Sequence, residues 1–195
     1  GGSYFYPAFT IEATADKDLQ VLWRNRLVDT AGNPLPHFLP VDSTLHWANP
    51  IGMRDTRPSP ADTAYWNHPY LQGPNHNYVG PVPMIVHVHG AHVGPGSDGY
   101  PEAWWLPKAN NIPAGYATEG TFYDDINGGA PGNGMAVYQY SNDQPTTTLW
   151  YHDHSLGITR LNVYAGMAGF YIIRDSDDTG LPGNAFIRNR NTVGE

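Results

Sequence analysis

The residues with the clearest chemical potential are two pairs of histidines, each with one residue between its members. One pair is His87 and His89 in the sequence HVH, and the other is His152 and His154 in the sequence HDH. Side chains alternate between the two faces of a β-strand, so both members of a pair leave the same face, with Cα atoms about 6.5–7 Å apart. If the two strands are neighbours, four neutral imidazoles meet in one patch that could bind copper, zinc or nickel.

A single His-x-His pair is weak support for a metal site, because most histidines in strands are hydrogen-bonded core or surface residues. Two such pairs, each on an apolar strand and each followed by a turn with Gly or Ser, favour metal binding strongly. The sequence has no cysteine. That absence excludes disulfides, thiolate nucleophiles, zinc–thiolate sites and any copper site in this chain that needs a Cys ligand.

The pattern of apolar residues predicts several short strands and little helix. Residues 9–13 and 19–27 alternate apolar and polar side chains on either side of a polar turn, which predicts a β-hairpin. The same pattern predicts further strands, mostly antiparallel, at residues 83–90, 134–140, 146–154 and 168–175. A short helix is predicted before Gly166. The long stretches 48–82 and 90–133 are rich in Pro, Gly, Asn and Asp, and loops of that length are typically functional or packed against the fold.

Composition and charge narrow the class of protein. The 195 residues include 22 Gly and 18 Pro, with 40% hydrophobic and only 14% charged residues, which suits one all-β domain with many turns. The formal net charge of -8 and the scattered basic residues disfavour nucleic acid and anionic membranes as partners. No apolar run approaches the roughly 18 residues needed to span a bilayer. We therefore expect neither a nucleic-acid-binding nor a membrane-spanning protein.

Four stretches of the sequence resemble a known family. They are HVHG, SDGYPEAW, NPLPHFLPVDSTLHWANP and LWYHDHSLGITRLNVYAGMAGFYII. These stretches are similar to the first cupredoxin domain of three-domain multicopper oxidases, especially the bacterial spore-coat laccases and their relatives that resemble bilirubin oxidase. The similarity covers about residues 9–175, and the second histidine motif with its tail is highly specific.

The resemblance implies an all-β fold, a cupredoxin-like Greek-key β-sandwich with long loops and one short helix. It implies that residues 1–178 form the N-terminal domain of such an oxidase, beginning after the family's first strand. Residues 179–195 would be a linker toward a second domain that is not in this chain. The expected partners are the remaining cupredoxin domains, which could be separate chains.

The resemblance also implies how copper would be held. His87 corresponds to a type 2 copper ligand, and three residues correspond to ligands of the type 3 copper pair: His89, His152 and His154. The chain would then supply half of the eight histidines of a trinuclear copper cluster. The type 1 copper of the family needs a Cys in a His-Cys-His motif of the last domain, and that motif is absent here.

A complete oxidase of this kind would oxidise a small reducing substrate bound outside this chain. It would use the electrons to reduce dioxygen to water, and the isolated chain is expected to be inactive. Two other functions stay open: a non-catalytic copper-binding or storage domain, and a mononuclear metal site with hydrolytic or dismutase activity. The long tail after His154 favours the oxidase. The resemblance also favours an extracellular, periplasmic or spore-coat location.

Two acidic residues lie close to the histidines in the sequence. Asp98 stands where the family places an acidic residue near the water channel to the type 2 copper. We therefore expect it to donate protons or orient water, although an Asp that caps the turn at Gly99 would have the same sequence. Asp153 lies between two predicted ligands, so it should point to the opposite face of its strand and make a structural hydrogen bond.

The remaining histidines and large aromatic residues are expected to be structural. His92 is expected to be exposed or to lie behind a metal ligand. Surface positions are expected for the other histidines: His37, His46, His68 and His76. Packing inside the sandwich is expected for Trp104, Trp105 and Trp150. Arg160 is expected to form a buried or interdomain salt bridge.

Overall fold

The fold has short strands as its main regular elements among the described residues. It is given by a computed structural model that describes residues 6–51, 54–56, 59–72, 76–124 and 134–180. The strands are β1 (Ala8–Thr14), β2 (Leu19–Arg24), β3 (Leu71–Gln72), β4 (Asn77–Tyr78), β5 (Val86–His89), β6 (Met135–Tyr140), β7 (Thr147–Asp153) and β8 (Ala168–Arg174). The helices are α1 (Thr63–Trp66) and α2 (Thr159–Tyr164). The all-β prediction is confirmed.

The predicted short helix is α2, and Gly166 follows its end with a φ of 110°. Helix α1 and two 3-10 turns, Pro95–Ser97 and Thr121–Asp124, were not predicted. The predicted linker, residues 179–195, lies outside the described residues from position 181 onward. Among the described residues, no helix has the length and apolar character to cross a membrane.

Six of the eight strands form two packed layers, and β3 pairs with β4 in a separate two-stranded sheet. A four-stranded sheet has the order β1-β8-β7-β5, in which β1 and β8 are parallel and the other pairs are antiparallel. A two-stranded sheet pairs β2 with β6. Aromatic rings join the layers: the ring centroids of Trp23 and Tyr151 are 5.1 Å apart, and those of Tyr140 and Tyr171 are 5.5 Å apart. The result is a β-sandwich, as predicted.

The predicted hairpin between the first two strands is wrong. Strand β1 pairs with β8 in one sheet, whereas β2 pairs with β6 in the other. The turn between them carries the chain across the sandwich, with the N–H of Ala15 donating to Arg174 and that of Asp16 donating to Asn142. Both strands still place alternate apolar residues against the core. Alternation therefore identified the buried face correctly but did not identify the partner strand.

The long loops complete the core. Trp47 and Trp104, both from loop segments, are fully buried, and the indole N–H of Trp104 donates to the carboxylate of Asp55 at 2.6 Å. Trp105 is also buried. The prediction that Trp104 and Trp105 pack inside the fold is confirmed, and these described segments of the loops pack against the sheets.

The register between β5 and β7 positions the two histidine pairs. His87 lies opposite His152, and the neighbouring inward residue Val88 lies opposite Tyr151. Val86 and Val88 are buried in the core, so the histidines between and after them face outward. Two strands that were separate in the sequence thus present their histidines on one face of the sheet.

We predict that Gly99→Ala destabilises the fold. Gly99 has a φ of 79°, and a Cβ atom there would collide with the carbonyl of Val86 and approach the Cα of His87 at 3.1 Å. The backbone conformation and the clash together should lower the free energy of unfolding by about 2 kcal/mol or more. Urea unfolding of the chain measures this change.

Gly96→Ala is the matched control, because a Cβ atom at Gly96 would meet no atom within 4 Å. It should change the free energy of unfolding by less than about 0.5 kcal/mol. Equal effects of the two substitutions would contradict the close packing of Gly99 against the backbone of strand β5.

Candidate metal centre

Four imidazole rings meet on the outer face of the four-stranded sheet. The ring of His87 lies centrally, with its centroid 5.1 Å from that of His154, 5.5 Å from that of His152 and 5.7 Å from that of His89. The ring of His152 lies 5.6 Å from each of His89 and His154. The structure therefore brings together all four histidines that the sequence singled out.

Three of the four rings each bring one nitrogen into a compact group. One ring nitrogen from each of His87, His89 and His152 lies within 4.8 Å of the other two. Nδ1 of His89 and Nε2 of His152 are only 3.3 Å apart. Metal–nitrogen bonds to imidazole are about 2.0–2.1 Å long, so small ring rotations would let the three nitrogens share one ion. His154 is adjacent but does not belong to this group.

Backbone carbonyls set the orientation of two rings. Nδ1 of His87 lies 2.5 Å from the carbonyl oxygen of Asp98, and Nδ1 of His152 lies 2.7 Å from that of Asp153. A carbonyl can only accept, so each Nδ1 carries the proton and donates it. Each Nε2 is then left with a free lone pair. This is the arrangement by which proteins fix the tautomer of a metal-ligating histidine.

The site favours neutral imidazoles. Burial lowers the pKa of His152, and the nearby imidazoles lower it further, against the opposing effect of the hydrogen bond to the Asp153 carbonyl. Burial also lowers the pKa of His154, with a smaller contribution from His87. A neutral ring keeps the lone pair that a metal ion needs. Nδ1 of His154 is buried and has no hydrogen-bond partner in the described part of the chain.

Asp98 lies at the edge of this cluster. Its carboxylate is 3.3 Å from Nδ1 of His87, and its side chain is 32% exposed. It directly follows the 3-10 turn Pro95–Ser97 and precedes Gly99. The position places a carboxylate beside a predicted ligand and in contact with solvent. Its role in proton transfer or water orientation stays a prediction.

Asp153 faces the core, as its place in the alternation predicts. Its carboxylate accepts the backbone N–H of Ile85 at 3.1 Å, the backbone N–H of Ser155 at 3.0 Å and the hydroxyl of Ser155 at 2.9 Å. Burial raises the pKa of Asp153 to about 7, although these hydrogen bonds act in the opposite direction. The predicted structural hydrogen bonding is confirmed. Asp153 therefore links the residue before β5 to the end of β7 on the face of the sheet opposite the histidines.

The prediction for Trp150 is wrong. Trp150 is 39% exposed and lies on the histidine face rather than inside the sandwich. Its ring centroid is 4.1 Å from that of His152 and 5.7 Å from that of His89. Trp150 precedes His152 by two residues, so the alternation that aligned the histidines also identified this face. The residue of this strand that packs inside the sandwich is the next one, Tyr151, whose ring contacts Trp23.

The other histidines are not part of the cluster. His92 is exposed and lies 3.5 Å from the carboxylate of Asp143, and His46 is exposed, as predicted. His37, His68 and His76 are partly buried, so their predicted surface positions are only partly right. Nε2 of His37 is fully buried against the loop core, and burial lowers the pKa of His37 to about 4. These loop residues pack with aromatic rings, which sequence periodicity could not show.

Arg160 is exposed on helix α2. Within the described ranges it forms no ion pair that would bury its charge. The prediction of a buried salt bridge is therefore wrong for this domain, and an interdomain contact stays a prediction.

The fold and the site together define the class: a β-sandwich domain whose outer face carries a cluster of imidazoles suited to a transition metal. Comparison with known proteins narrows this class. The family described as "Multicopper oxidase" matches residues 124–178. The chain is 35% identical to a laccase from Bacillus stratosphericus over 90% of its length and 33% identical to a laccase from Bacillus subtilis over 93%.

A solved structure of a multicopper oxidase from Campylobacter jejuni covers 88% of the chain at 18% identity, with a TM-score of 0.44. The chain covers 20% of that structure, and 24% and 26% of the two laccases. On the sequence matches, the chain is similar to part of the laccases among the multicopper oxidases. It spans about a quarter of the length of the curated relatives that it matches.

We predict that Asp153→Asn destabilises the domain. The substitution keeps the size of the side chain but replaces one accepting oxygen with an NH2 group that cannot accept from Ile85 or Ser155. The free energy of unfolding of the metal-free chain should fall by about 1–3 kcal/mol, the usual cost of a buried polar group without its partner. Urea unfolding measures the change. Ser155→Ala, which removes only one donor, should cost about 1 kcal/mol or less, and the reverse order would contradict this role.

Proposed function

We propose that this domain supplies half of the trinuclear copper site of a laccase-like multicopper oxidase. The observation that carries the proposal is the convergence of the four imidazoles, with ring centroids 5.1 to 5.7 Å from that of His87. Imidazole nitrogens are suitable ligands for copper, and the similarity to multicopper oxidases supports copper as the metal. In this proposal His87 binds the type 2 ion, and three residues bind the type 3 pair: His89, His152 and His154.

The residues of this chain hold and orient the site. The carbonyls of Asp98 and Asp153 keep a proton on Nδ1 of His87 and His152, so that Nε2 of each ring can face an ion. Copper, when bound, supplies the one-electron chemistry that oxygen reduction needs. The reduction of one dioxygen to two waters consumes four electrons and four protons. We propose that the part-exposed carboxylate of Asp98 passes protons from solvent to this site.

The electrons must come from outside this chain. It has no cysteine, so it cannot provide the thiolate of a type 1 copper site. The relatives are about four times longer than the matching region, which leaves room for further domains that carry this site and the reducing substrate. The histidine face also supports the presence of further domains, because His89, Trp150 and Phe170 are exposed there and available for contact. We propose that the remaining cupredoxin domains, in one chain or in several, cover this face.

A mononuclear site is the second candidate, and a specific observation favours it. Of the four histidines on this face, His87, His89 and His152 have ring nitrogens within 4.8 Å of one another, while His154 does not belong to that group. Three imidazoles around one ion, with a fourth position open, is a common arrangement for catalytic zinc. In such a site the first metal ion would depend on three histidines rather than four.

Titration of the 195-residue chain with Cu(II) tests the copper site. His152→Ala should lower the affinity for Cu(II) by more than about tenfold. The loss of a metal ligand should cost at least as much affinity as the loss of a residue that orients a ligand. His92→Ala is the control, since His92 is exposed and outside the cluster, and it should leave the affinity unchanged. Absence of copper binding, or equal behaviour of the two variants, would refute the proposed site.

The number of ions distinguishes the two candidates. A cluster in the assembled oxidase predicts that His87→Ala mainly removes the paramagnetic type 2 signal, whereas His154→Ala removes the near-ultraviolet absorption of the type 3 pair. A mononuclear site predicts one shared spectroscopic change for three substitutions and little effect of His154→Ala. Electron paramagnetic resonance and absorption spectra of the copper-loaded protein separate these outcomes.

A separate prediction concerns turnover. The copper-loaded chain by itself should not oxidise a phenolic substrate under air, because it cannot form the type 1 site through which electrons enter. Oxygen uptake measures this directly. Sustained turnover by the purified chain would show that electrons reach these histidines by another route and would overturn the assignment of half a site.

A further inference from the structure

Trp150 is an aromatic residue on the metal-binding face that packs against two of the predicted ligands. Its indole lies 25° from the plane of the His89 ring, at a centroid distance of 5.7 Å, and 33° from the plane of the His152 ring, at 4.1 Å. These are also the two rings whose nitrogens Nδ1 and Nε2 face each other at 3.3 Å. The indole therefore lies beside the pair of donors that approach each other most closely.

The sheet register produces both contacts. Trp150 is directly opposite His89 across the β5–β7 ladder and is two residues before His152 on its own strand. Residues that are opposite each other in an antiparallel pair, and residues two apart on one strand, share a face of the sheet. Their side chains are held side by side by the backbone.

Trp150 is not held there by the core. It is 39% exposed, and its neighbour across the β7–β8 ladder, Phe170, is 45% exposed. The two aromatic residues are thus similar in exposure and lie opposite each other on the same face of the sheet. They differ in their contacts with the histidines: within the described part of the chain, Phe170 makes no ring contact with an imidazole, whereas Trp150 contacts two.

We propose that Trp150 is a positioning residue for the metal site, one that holds the planes of His89 and His152 so that their nitrogens face one ion. The inference rests on the proposed copper-binding function. An imidazole becomes poorer in electrons when it binds a cation, and the electron-rich face of an indole attracts such a ring more strongly than a neutral one. Trp150 therefore stabilises the metal-bound arrangement more than the metal-free one.

Cu(II) titration of three variants of the 195-residue chain tests this role. Trp150→Leu removes the aromatic face and should lower the affinity about tenfold, as is typical for residues that orient metal ligands. Trp150→Phe keeps an aromatic face and should stay within about threefold of the unsubstituted chain. Phe170→Leu is the matched control and should leave the affinity unchanged.

Two further measurements separate positioning from general stability. The nitrogen hyperfine pattern of bound Cu(II) should change in Trp150→Leu and stay unchanged in Phe170→Leu, because only the first frees the ligand rings. Thermal unfolding of the metal-free variants should show similar melting temperatures for the two leucine substitutions. If Trp150→Leu fails to fold, Trp150→Met is compared with a Phe170→Met control, and the same hyperfine pattern should change in the first variant and stay unchanged in the second.

The outcomes distinguish this inference from the function on which it rests. If the unsubstituted chain binds Cu(II) and His152→Ala abolishes binding, but Trp150→Leu and Phe170→Leu behave alike, the positioning role is overturned and the copper site stands. If the unsubstituted chain does not bind Cu(II), both are overturned. A selective loss of affinity and a changed hyperfine pattern in Trp150→Leu would support the role.

Discussion

The antiparallel pairing of β5 with β7 is the constraint on which the rest of this domain depends. It places His87 opposite His152 and, at the same time, turns Val86 and Val88 into the core. A slip of one residue would reverse both faces, burying imidazoles and exposing valines. The carboxylate of Asp153 reinforces the register from behind by accepting the N–H of Ile85. The stability of the core and the geometry of the site are therefore set by the same hydrogen bonds.

The two sides of strand β7 carry ionisable groups of opposite kind, imidazoles on the outer side and a carboxylate on the inner side. On the outer side the site needs uncharged imidazoles, and burial lowers the pKa of His152 and His154 in that direction. On the inner side a carboxylate is buried, and burial raises the pKa of Asp153 to about 7. Backbone groups serve both sides, because N–H groups donate to the carboxylate while carbonyls accept from the imidazoles. The carboxylate of Asp153 is thereby kept on the side of the strand opposite the imidazoles.

The outer face also supports the proposal that this domain belongs to a larger oxidase. Of its exposed aromatic residues, Trp150 contacts the rings of His89 and His152, and Phe170 is opposite Trp150 on the neighbouring strand. A surface that carries donors for a metal and exposed aromatic rings is suited to a second domain that brings further ligands. The proposed cluster would then lie between domains, where solvent is excluded only after both surfaces meet.

The sequence by itself determined which residues could share a face. The strict alternation in HVH and HDH put the histidines of each pair together, and the same alternation placed Asp153 on the opposite side, because the period of a strand is a local property of the backbone. The stretch that follows His154 was also the most specific part of the resemblance to multicopper oxidases. Only the tertiary structure decided which strands are neighbours, since β1 pairs with β8 and not with β2. It also decided which loop residues are buried, such as His37, which is partly buried. The place of Trp150 depended on both, since alternation aligned it with His152, but its contact with His89 required β5 to be the adjacent strand. Partner choice depends on packing between residues far apart in the chain, and no local pattern of side chains encodes it.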